Sequence, residues 1–329
     1  MKMLYVVAHG IDVDGFACHA IIERYAREND IATEHYFVHH QDQGDDVITV
    51  IDALEKISSK LIDGDKILIA DIGYNEALLN HFLETYSKPL FKNSVSWCDH
   101  HKWPESVKNE VGYIADEFIV DIDLCASQIV QNRFLAEDMY AKEIGKCARQ
   151  HDMIDGKITD QESYNLASIL QDVITSGHDK MDIVKTLADG EFPNSDFKSI
   201  SQDYRTRIRP CAIEKMDHTI TEYAMEKNDL VAKITMALVP EFLDSKDVRA
   251  YLMDSEKKKK EPDAIIAIWE NGRIAYEIQD EKHRFIIDKI NTNYGGGGRG
   301  FVGGAKYDGS VDKIHYKQCF DEIMNVIKV

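Results

Sequence analysis

Residues 3–15 read MLYVVAHGIDVDG, an apolar run followed directly by a histidine and two aspartates. The run at residues 4–8 is typical of a short buried strand, and apolar side chains at helical spacing predict a helix over residues 16–27. A strand, a polar loop and a helix in this order begin a crossover unit of a parallel sheet. The polar side chains of the loop are therefore expected at the carboxyl end of the first strand.

The same alternation continues through the N-terminal half of the chain. Three further segments have the composition of strands: residues 35–38, 66–70 and 94–97. Residues 76–86 have the apolar spacing of a helix, and residues 124–188 are mostly helical in pattern, with Asp160 as a helix N-cap. We therefore predict an α/β fold whose N-terminal domain is a parallel sheet with crossover helices.

The pattern changes in the C-terminal third. Residues 196–227 are polar with helical spacing, which predicts a long helix interrupted or kinked near Pro210. Residues 231–239 and 264–269 are strand-like, and residues 270–272 (ENG) form a hairpin turn signal. These features predict a smaller α+β C-terminal domain. The predicted division is residues 1–190 for the N-terminal domain, 191–228 for a helical linker and 229–329 for the C-terminal domain.

Composition restricts the class of protein. The chain has 329 residues, 44% of them apolar and 29% charged, which is ordinary for a globular protein. Its longest apolar runs have six residues, whereas a membrane-spanning helix needs about 18. The N-terminus lacks an h-region of about 7 to 15 apolar residues, so we expect no secretory signal. Six scattered cysteines without a Cys-x-x-Cys pair favour buried thiols in a reducing, cytoplasmic compartment.

Negative charge is concentrated in the first two thirds of the chain. The formal net charge is -19; residues 229–329 carry 16 basic and 17 acidic side chains, which leaves 23 and 41 in residues 1–228. Long nucleic acid is bound mainly through phosphate neutralisation, so this charge argues against a protein that tracks duplex DNA. Short anionic substrates remain compatible if cations are supplied locally. The lysine run at residues 257–260 is predicted to be a solvated loop.

Four segments carry side chains that bind metal ions. Three directly follow predicted strands: residues 8–15 (AHGIDVDG), 70–73 (ADIG) and 98–101 (CDHH). The fourth, residues 149–152 (RQHD), lies in the helical stretch. Singly, each has an ordinary interpretation, because an aspartate before a helix is usually an N-cap and a lone histidine is usually structural. Their shared position at strand ends favours one common site.

The charge of such a site requires cations. Four carboxylates would repel one another strongly unless cations lay between them, and two divalent ions balance that charge. Imidazole and carboxylate ligands suit manganese, with magnesium, cobalt or iron as substitutes, and no cysteine has the spacing of a zinc site. A pair of ions can activate a shared water and stabilise charge on a phosphate under attack. The sequence therefore predicts a two-metal site that prefers Mn2+.

These motifs resemble those of the DHH phosphoesterase family, named for the Asp-His-His triplet found here at residues 99–101. Residues 9–15, Asp71 and Asp152 resemble its other three motifs. The segment NYGGGGRGFVGGA at residues 293–305 resembles the glycine-rich signature of the DHH-associated type 1 domain. The family includes oligoribonucleases, nanoRNases, dinucleotide phosphodiesterases and single-strand exonucleases, and the resemblance covers nearly the whole chain.

The resemblance implies a role for each matching residue. The first ion would be held by His9, Asp12 and Asp71, and the second by Asp14, Asp71, His100 and Asp152. His101 would be catalytic and face the scissile phosphate, with Asp99 positioning the histidines. A substrate phosphate would contact Gly296, Gly297, Gly298 and Arg299. Two features depart from the family pattern: many members have one more residue between the histidine and aspartate of the first motif, and a histidine where Arg299 stands.

The implied function is a two-metal phosphodiesterase that hydrolyses short oligonucleotides or linear or cyclic dinucleotides. A phosphatase activity on 3'-phosphoadenosine phosphate is compatible with the same site. The N-terminal domain would supply the metals, and the C-terminal domain would recognise the nucleotide in a cleft between the two. The alternatives are a single-strand exonuclease, a pyrophosphatase or polyphosphatase, and a non-catalytic scaffold with this fold. We expect no partnership with long duplex DNA or with a membrane, and a homodimer is left open.

Overall fold

The structure is a computed structural model that describes residues 2–39, 48–86, 94–152, 158–227, 230–241, 243–253, 262–299 and 301–328. By internal packing, the chain divides into two units, Met1–Gln202 (unit 1) and Asp203–Val329 (unit 2). Of the predicted linker, residues 191–202 belong to unit 1 and the remaining residues to unit 2. The lysine run at residues 257–260 lies outside the described residues.

Unit 1 contains a parallel sheet of six strands in the order β3-β2-β1-β4-β5-β6. Its strands are β1 (Met3–His9), β2 (Ala32–His39), β3 (Ile48–Thr49), β4 (Lys66–Ala70), β5 (Val95–Asp99) and β6 (Glu117–Val120). Its helices are α1 (Val13–Glu28), α2 (Val50–Ser58), α3 (Glu76–Tyr86), α4 (Glu105–Ile114), α5 (Ala126–Phe134), α6 (Met139–Asp152), α7 (Gln161–Thr175), α8 (Lys180–Ala188) and α9 (Ser195–Asp203). The predicted parallel sheet with crossover helices is confirmed.

The side chains of β1 alternate between two apolar cores. Leu4, Val6 and Ala8 pack with α1 and α5 to α8 on one face of the sheet. Tyr5 and Val7 pack with α2, α3 and α4 on the other face. Because helices cover both faces, the central strands are apolar throughout rather than alternating with polar residues. The strand order reverses between β1 and β4, and ligands of such sheets bind at that point, beyond the carboxyl ends of the strands.

Unit 2 contains a second six-stranded sheet in the order β11-β12-β10-β9-β8-β7. Its strands are β7 (Thr221–Lys227), β8 (Leu230–Val239), β9 (Ala264–Trp269), β10 (Arg273–Ile278), β11 (Gly297–Arg299) and β12 (Val302–Lys306). Its helices are α10 (Arg209–Asp217), α11 (Ser245–Met253), α12 (Arg284–Tyr294) and α13 (Tyr316–Lys328). Strands β8 and β9 are parallel and the other pairs are antiparallel. The predicted hairpin is confirmed, with Gly272 at a φ of 84° in its turn.

The long helix predicted for residues 196–227 is wrong at its C-terminal end. The helical run ends at Asp217, and residues 221–227 form β7, which pairs with β8. Tyr223 and Met225 alternate with exposed neighbours, and that period of two suits a strand covering one side of a core. The predicted interruption near Pro210 takes the form of a π-helical turn over Tyr204–Ile208.

Two expectations from composition can be compared with the structure. All six cysteines are free thiols, and five of them are buried as predicted. Cys211 differs, because its position on α10 leaves it exposed. Among the described residues, no helix combines the length and the apolar character that crossing a membrane requires.

Candidate metal centre

Three of the four predicted motifs meet at the carboxyl edge of the unit 1 sheet. His9 is the last residue of β1, Asp71 directly follows β4, and Asp99 is the last residue of β5. These three strands are neighbours in the sheet, and the strand order reverses between the first two. The fourth motif reaches the same place from a covering helix, because Asp152 is the last residue of α6. The topology therefore gathers side chains that are far apart in sequence.

The loop after β1 has both a structural and a polar role. Asp12 is the N-cap of α1, since its Oδ1 accepts a hydrogen bond from the backbone N–H of Gly15 at 2.9 Å. Its Oδ2 lies 3.1 Å from Nδ1 of His9, which is itself 3.4 Å from Oδ2 of Asp71. A Cβ on Gly15 would lie 2.3 Å from the carbonyl oxygen of His9. Glycine is therefore required for the tight turn that brings Asp12 back over His9.

Asp14 is buried in the first turn of α1, two residues after its N-cap. Its two carboxylate oxygens accept hydrogen bonds from the backbone N–H groups of Ala126 at 2.8 Å and Ser127 at 3.0 Å, at the start of α5. A helix N-terminus favours negative charge. Burial and repulsion from Asp71 and Asp152 nevertheless outweigh these bonds and raise the pKa of Asp14 to about 8. A cation at this position would relieve that repulsion.

Asp71 is the centre of the cluster. Its Oδ2 faces His9, and its Oδ1 lies 3.4 Å from Nε2 of His100. Burial opposes ionisation of Asp71, but attraction to His9 and the contacts with both histidines lower its pKa. Its φ of 58° is in the left-handed region, which non-glycine residues rarely adopt and which occurs often at functional sites. Asp71 does not cap the next helix, because the Oδ1 of Asn75 accepts from the N–H of Leu78 there.

Buried His100 and half-buried Asp152 complete the cluster. Nε2 of His100 lies 3.5 Å from Oδ2 of Asp152. Burial lowers the pKa of His100, but Asp71 and Asp152 raise it to about 9. The pKa of Asp152 rises to about 6, because burial and repulsion from Asp71 exceed its attraction to His100. A cation bound between these side chains would offset the repulsion between the two carboxylates.

His101 is held differently from His100. Its Nδ1 donates a hydrogen bond to Oδ1 of Asp99 at 2.7 Å, and its side chain is 30% exposed. The other carboxylate oxygen of Asp99 accepts from Nε1 of Trp103 at 2.6 Å. Burial opposes the charge of Asp99, but the bonds from His101 and Trp103 lower its pKa. The carboxylate therefore fixes the ring of His101 and directs the opposite ring nitrogen away from Asp99.

The donor atoms fit divalent cations. Three groups each have ligand atoms within 4.8 Å of one another: His9, Asp12 and Asp71; Asp14, His100 and Asp152; and Asp71, Asp99, His100 and His101. Metal–ligand distances of about 2.0 to 2.2 Å place opposite ligands about 4 Å apart, so small side-chain adjustments suffice. The first two groups contain the six predicted ligands, and Asp71 contacts histidines from both. The chemistry of two imidazoles and four carboxylates suits Mn2+ or Mg2+.

Metal affinity should depend on pH. Metal ligands must be deprotonated, whereas the metal-free protein holds protons on Asp152, Asp14 and His100, whose pKa values are about 6, 8 and 9. The apparent affinity for Mn2+ should therefore rise as the pH increases from about 6 to 9. Calorimetry in buffers of different ionisation enthalpy would measure the protons released. An affinity that is constant across this range would contradict the ligand assignment.

The glycine run lies in unit 2. Gly297 pairs with Gly304, and Gly298 pairs with Gly303, in the β11–β12 hairpin. A Cβ on Gly296 would lie 2.4 Å from Oδ1 of Asn291, so this position has no room for a side chain. Arg299 is described only by its backbone position in β11, so its predicted contact with substrate stays a prediction.

Several residues near the centre were missed by the sequence analysis. Trp103 fixes Asp99, and no pattern in the sequence distinguishes it from a core tryptophan. Gly73 allows the backbone to approach the ring of His101 closely, since a Cβ at this position would lie 2.9 Å from Cγ of His101. The Nζ of Lys180 lies 3.1 Å from where a Cβ on Gly10 would be, and burial lowers its pKa. Lys180 thus supplies a local cation beside the first motif, which only the fold reveals.

Comparison with known proteins identifies the fold. The sequence matches no family model and no curated protein. Among solved structures, exonuclease RecJ bound to manganese has a TM-score of 0.57 at 14% identity, covering 99% of this chain and 89% of that one. RecJ from Thermus thermophilus in complex with Mn2+ has a TM-score of 0.60 at 12% identity, covering 99% and 51%.

A third solved structure differs in its described activity. An exopolyphosphatase-related protein from Bacteroides fragilis has a TM-score of 0.52 at 12% identity, covering 100% of this chain and 94% of that one. The structural similarity to these proteins establishes the architecture, whereas sequence identities this low leave the substrate open. The chain has the α/β fold of RecJ and of this exopolyphosphatase-related protein.

Proposed function

We propose that this protein is a two-metal phosphodiesterase that hydrolyses short oligonucleotides or dinucleotides, with Mn2+ as its preferred ion. The observation that carries the proposal is the position of Asp71, whose two oxygens face a histidine from each of two ligand groups. One carboxylate shared between two sites is the arrangement that a pair of bridged ions requires. The resemblance of all four motifs to DHH phosphoesterases supports the same activity, as does the fold.

The protein's own residues would divide the work of hydrolysis. His9, Asp12, Asp14, Asp71, His100 and Asp152 would hold two divalent ions. Bound there, the ions supply Lewis acidity, which lowers the pKa of a water and offsets charge on the phosphate. His101, oriented by Asp99, would contact the scissile phosphate as a hydrogen-bond donor or acid. The ammonium of Lys180 would attract an anionic substrate to a unit that is otherwise rich in acidic residues.

The charge distribution supports a short substrate. Residues 1–228 carry a formal charge of -18, whereas residues 229–329 are nearly neutral with 16 basic and 17 acidic side chains. A long strand would need many phosphate contacts with basic side chains, and each contact contributes to affinity. A di- to pentanucleotide needs only the metal ions and one further anchor. The glycine run with Arg299 would provide that anchor, because backbone N–H groups and a guanidinium both bind phosphate.

Arg299 allows this anchor to be tested. Loss of a charge-assisted bidentate contact costs roughly 1.5 to 3 kcal/mol, so Arg299→Ala should lower kcat/KM for short phosphorylated substrates by about 10- to 150-fold. An unphosphorylated model diester should be hydrolysed at nearly the original rate, and Lys313→Ala, an exposed lysine of the same unit, should change neither rate. Equal losses on both substrates would assign Arg299 to the fold or to the chemistry instead.

A substrate panel tests the proposed function. The purified protein would be incubated with Mn2+ and end-labelled oligonucleotides from dimers to long single strands, cyclic dinucleotides, 3'-phosphoadenosine phosphate, pyrophosphate and polyphosphate. We expect kcat/KM to be highest for dinucleotides and to fall steeply as oligonucleotides lengthen. Undiminished cleavage of long single strands would instead indicate an exonuclease. Hydrolysis of pyrophosphate or polyphosphate alone would indicate the phosphatase alternative, and no turnover with any substrate would indicate a scaffold.

A further inference from the structure

Tyr74 is an exposed aromatic side chain three residues after Asp71. Its exposed fraction is 38%, which is large for an aromatic residue so close to a buried cluster. The segment that carries it is held at both ends. On one side, the carbonyl of buried Ile72 accepts a hydrogen bond from Nε1 of Trp97 at 3.0 Å. On the other side, Asn75 caps α3. Tyr74 therefore projects from a fixed segment beside the candidate metal centre.

A chain of contacts connects Tyr74 to His101. The ring of Tyr74 packs against Trp103, with ring centres 5.8 Å apart at an angle of 58°. The indole N–H of Trp103 donates to Asp99, whose other oxygen accepts from His101. The residue before Tyr74 also lies against His101, because a Cβ on Gly73 would be 2.9 Å from Cγ of that histidine. Two side chains, Trp103 and Asp99, therefore connect the exposed ring of Tyr74 to His101, the predicted substrate-facing residue.

The chemistry of this surface indicates what it binds. Trp103 is buried and its N–H is already paired, so it supports Tyr74 rather than contacting a ligand itself. A ring held in place by packing loses little conformational freedom when a ligand stacks on it. A nucleobase is an aromatic group that lies about one sugar away from a phosphate, and any base can stack on tyrosine without sequence preference. Inorganic phosphate chains contain no aromatic group that could stack on the ring of Tyr74.

We propose that Tyr74 is a stacking platform for a nucleobase next to the scissile phosphate. This inference rests on the proposed phosphodiesterase function and deepens it, because it restricts the substrates to those that contain a nucleoside. It also predicts that the protein accepts substrates with different bases, since stacking does not depend on the hydrogen-bonding groups of the base. Tyr74 is then a binding residue, and its loss should act mainly on KM.

A comparison of matched substrates tests the platform. Tyr74→Ala, Tyr74→Phe and the original protein would be assayed with a dinucleotide and with the corresponding sugar-phosphate dimer that lacks both bases. Tyr74→Ala should lower kcat/KM for the dinucleotide by about 5- to 150-fold, the range for one stacked base, and leave the base-free dimer unchanged. Tyr74→Phe should retain most of the activity. Tyr113→Ala is the matched control, because this tyrosine is 92% exposed and lies far from the metal centre. It lies near the opposite edge of the sheet, since the N–H of Asp116, three residues later, donates to the carbonyl of Val95 at the start of β5.

Direct binding separates this inference from the proposed function. Calorimetry would compare adenosine 5'-monophosphate with ribose 5-phosphate in the presence of Mn2+, a measurement that needs no turnover. The platform predicts tighter binding of the nucleotide, and loss of that preference in Tyr74→Ala. Equal binding of the two compounds by the original protein would overturn the platform, as would equal losses by Tyr74→Ala on both substrates. Failure of the original protein to cleave either dimer would count against the phosphodiesterase function alone.

Discussion

Asp71→Asn should abolish both metal binding and turnover. Both oxygens of Asp71 face ligand groups, so replacing one of them by an NH2 group places a donor where a cation is expected. The loss in kcat should be at least on the order of 1,000-fold, since it removes a shared ligand and the charge stabilisation that depends on it. Asparagine tolerates the left-handed backbone at this position, where alanine would add strain. Metal analysis and kcat would be measured on the same preparation.

A second buried aspartate provides the control for this variant. Asp65 precedes β4 at the opposite edge of the sheet, where its Oδ1 accepts a hydrogen bond from the N–H of Met3. Asp65→Asn also neutralises a buried carboxylate, but it should leave the metal content and kcat unchanged. Two bound ions and full activity in Asp71→Asn would contradict the assignment of a shared ligand. An equal loss in Asp65→Asn would show that any buried aspartate of this sheet is needed for folding.

His101→Ala should separate catalysis from metal binding. The hydrogen bond to Asp99 orients the ring, and its partial exposure leaves it accessible to substrate. The variant should keep both ions yet lose about 100-fold or more in kcat, the range for a positioned acid or electrostatic donor. His100→Ala is the matched variant one residue earlier, and it should lose an ion as well as activity, because His100 lies between Asp71 and Asp152.

The contrary outcome for these two variants is equally specific. His101 also belongs to a group of potential ligands with Asp71, Asp99 and His100. If His101→Ala lost an ion and His100→Ala did not, the roles of the two histidines would be exchanged. Inductively coupled plasma analysis of the dialysed variants would count the ions without reference to activity. Circular dichroism would establish that each variant is folded.

The predictable part of the fold follows from local pattern. Apolar runs identified four of the strands of unit 1 (β1, β2, β4 and β5), and helical spacing identified α1 and α3. The polar residues after β1, β4 and β5 indicated a common edge. These features depend on residues that are close in sequence. Strand β7 was mistaken for helix because its seven residues are mostly polar, and only pairing with β8 shows which side is covered.

The remaining features of the site depend on tertiary structure. Asp14 binds the first N–H groups of α5, which are 112 and 113 residues further along the chain. The sequence gives no sign of that contact, nor of Trp103 supporting Asp99 or of Lys180 lying beside Gly10. The N-cap interpretation of Asp12 and its interpretation as a ligand both fit, because its two oxygens point in different directions. A single carboxylate can therefore serve the helix and the site.

Titration of the metal-free protein with Mn2+ tests the two-metal phosphodiesterase most directly. Bound ions per chain and the rate of dinucleotide hydrolysis would be measured at each step, at a pH near 9, where Asp14 and Asp152 are largely deprotonated and His100 is about half deprotonated. We predict two ions per chain, with hydrolysis rising as the second site fills. Full hydrolysis with one ion or none would contradict the two-metal mechanism, and two bound ions without hydrolysis of any dinucleotide would contradict the proposed substrate.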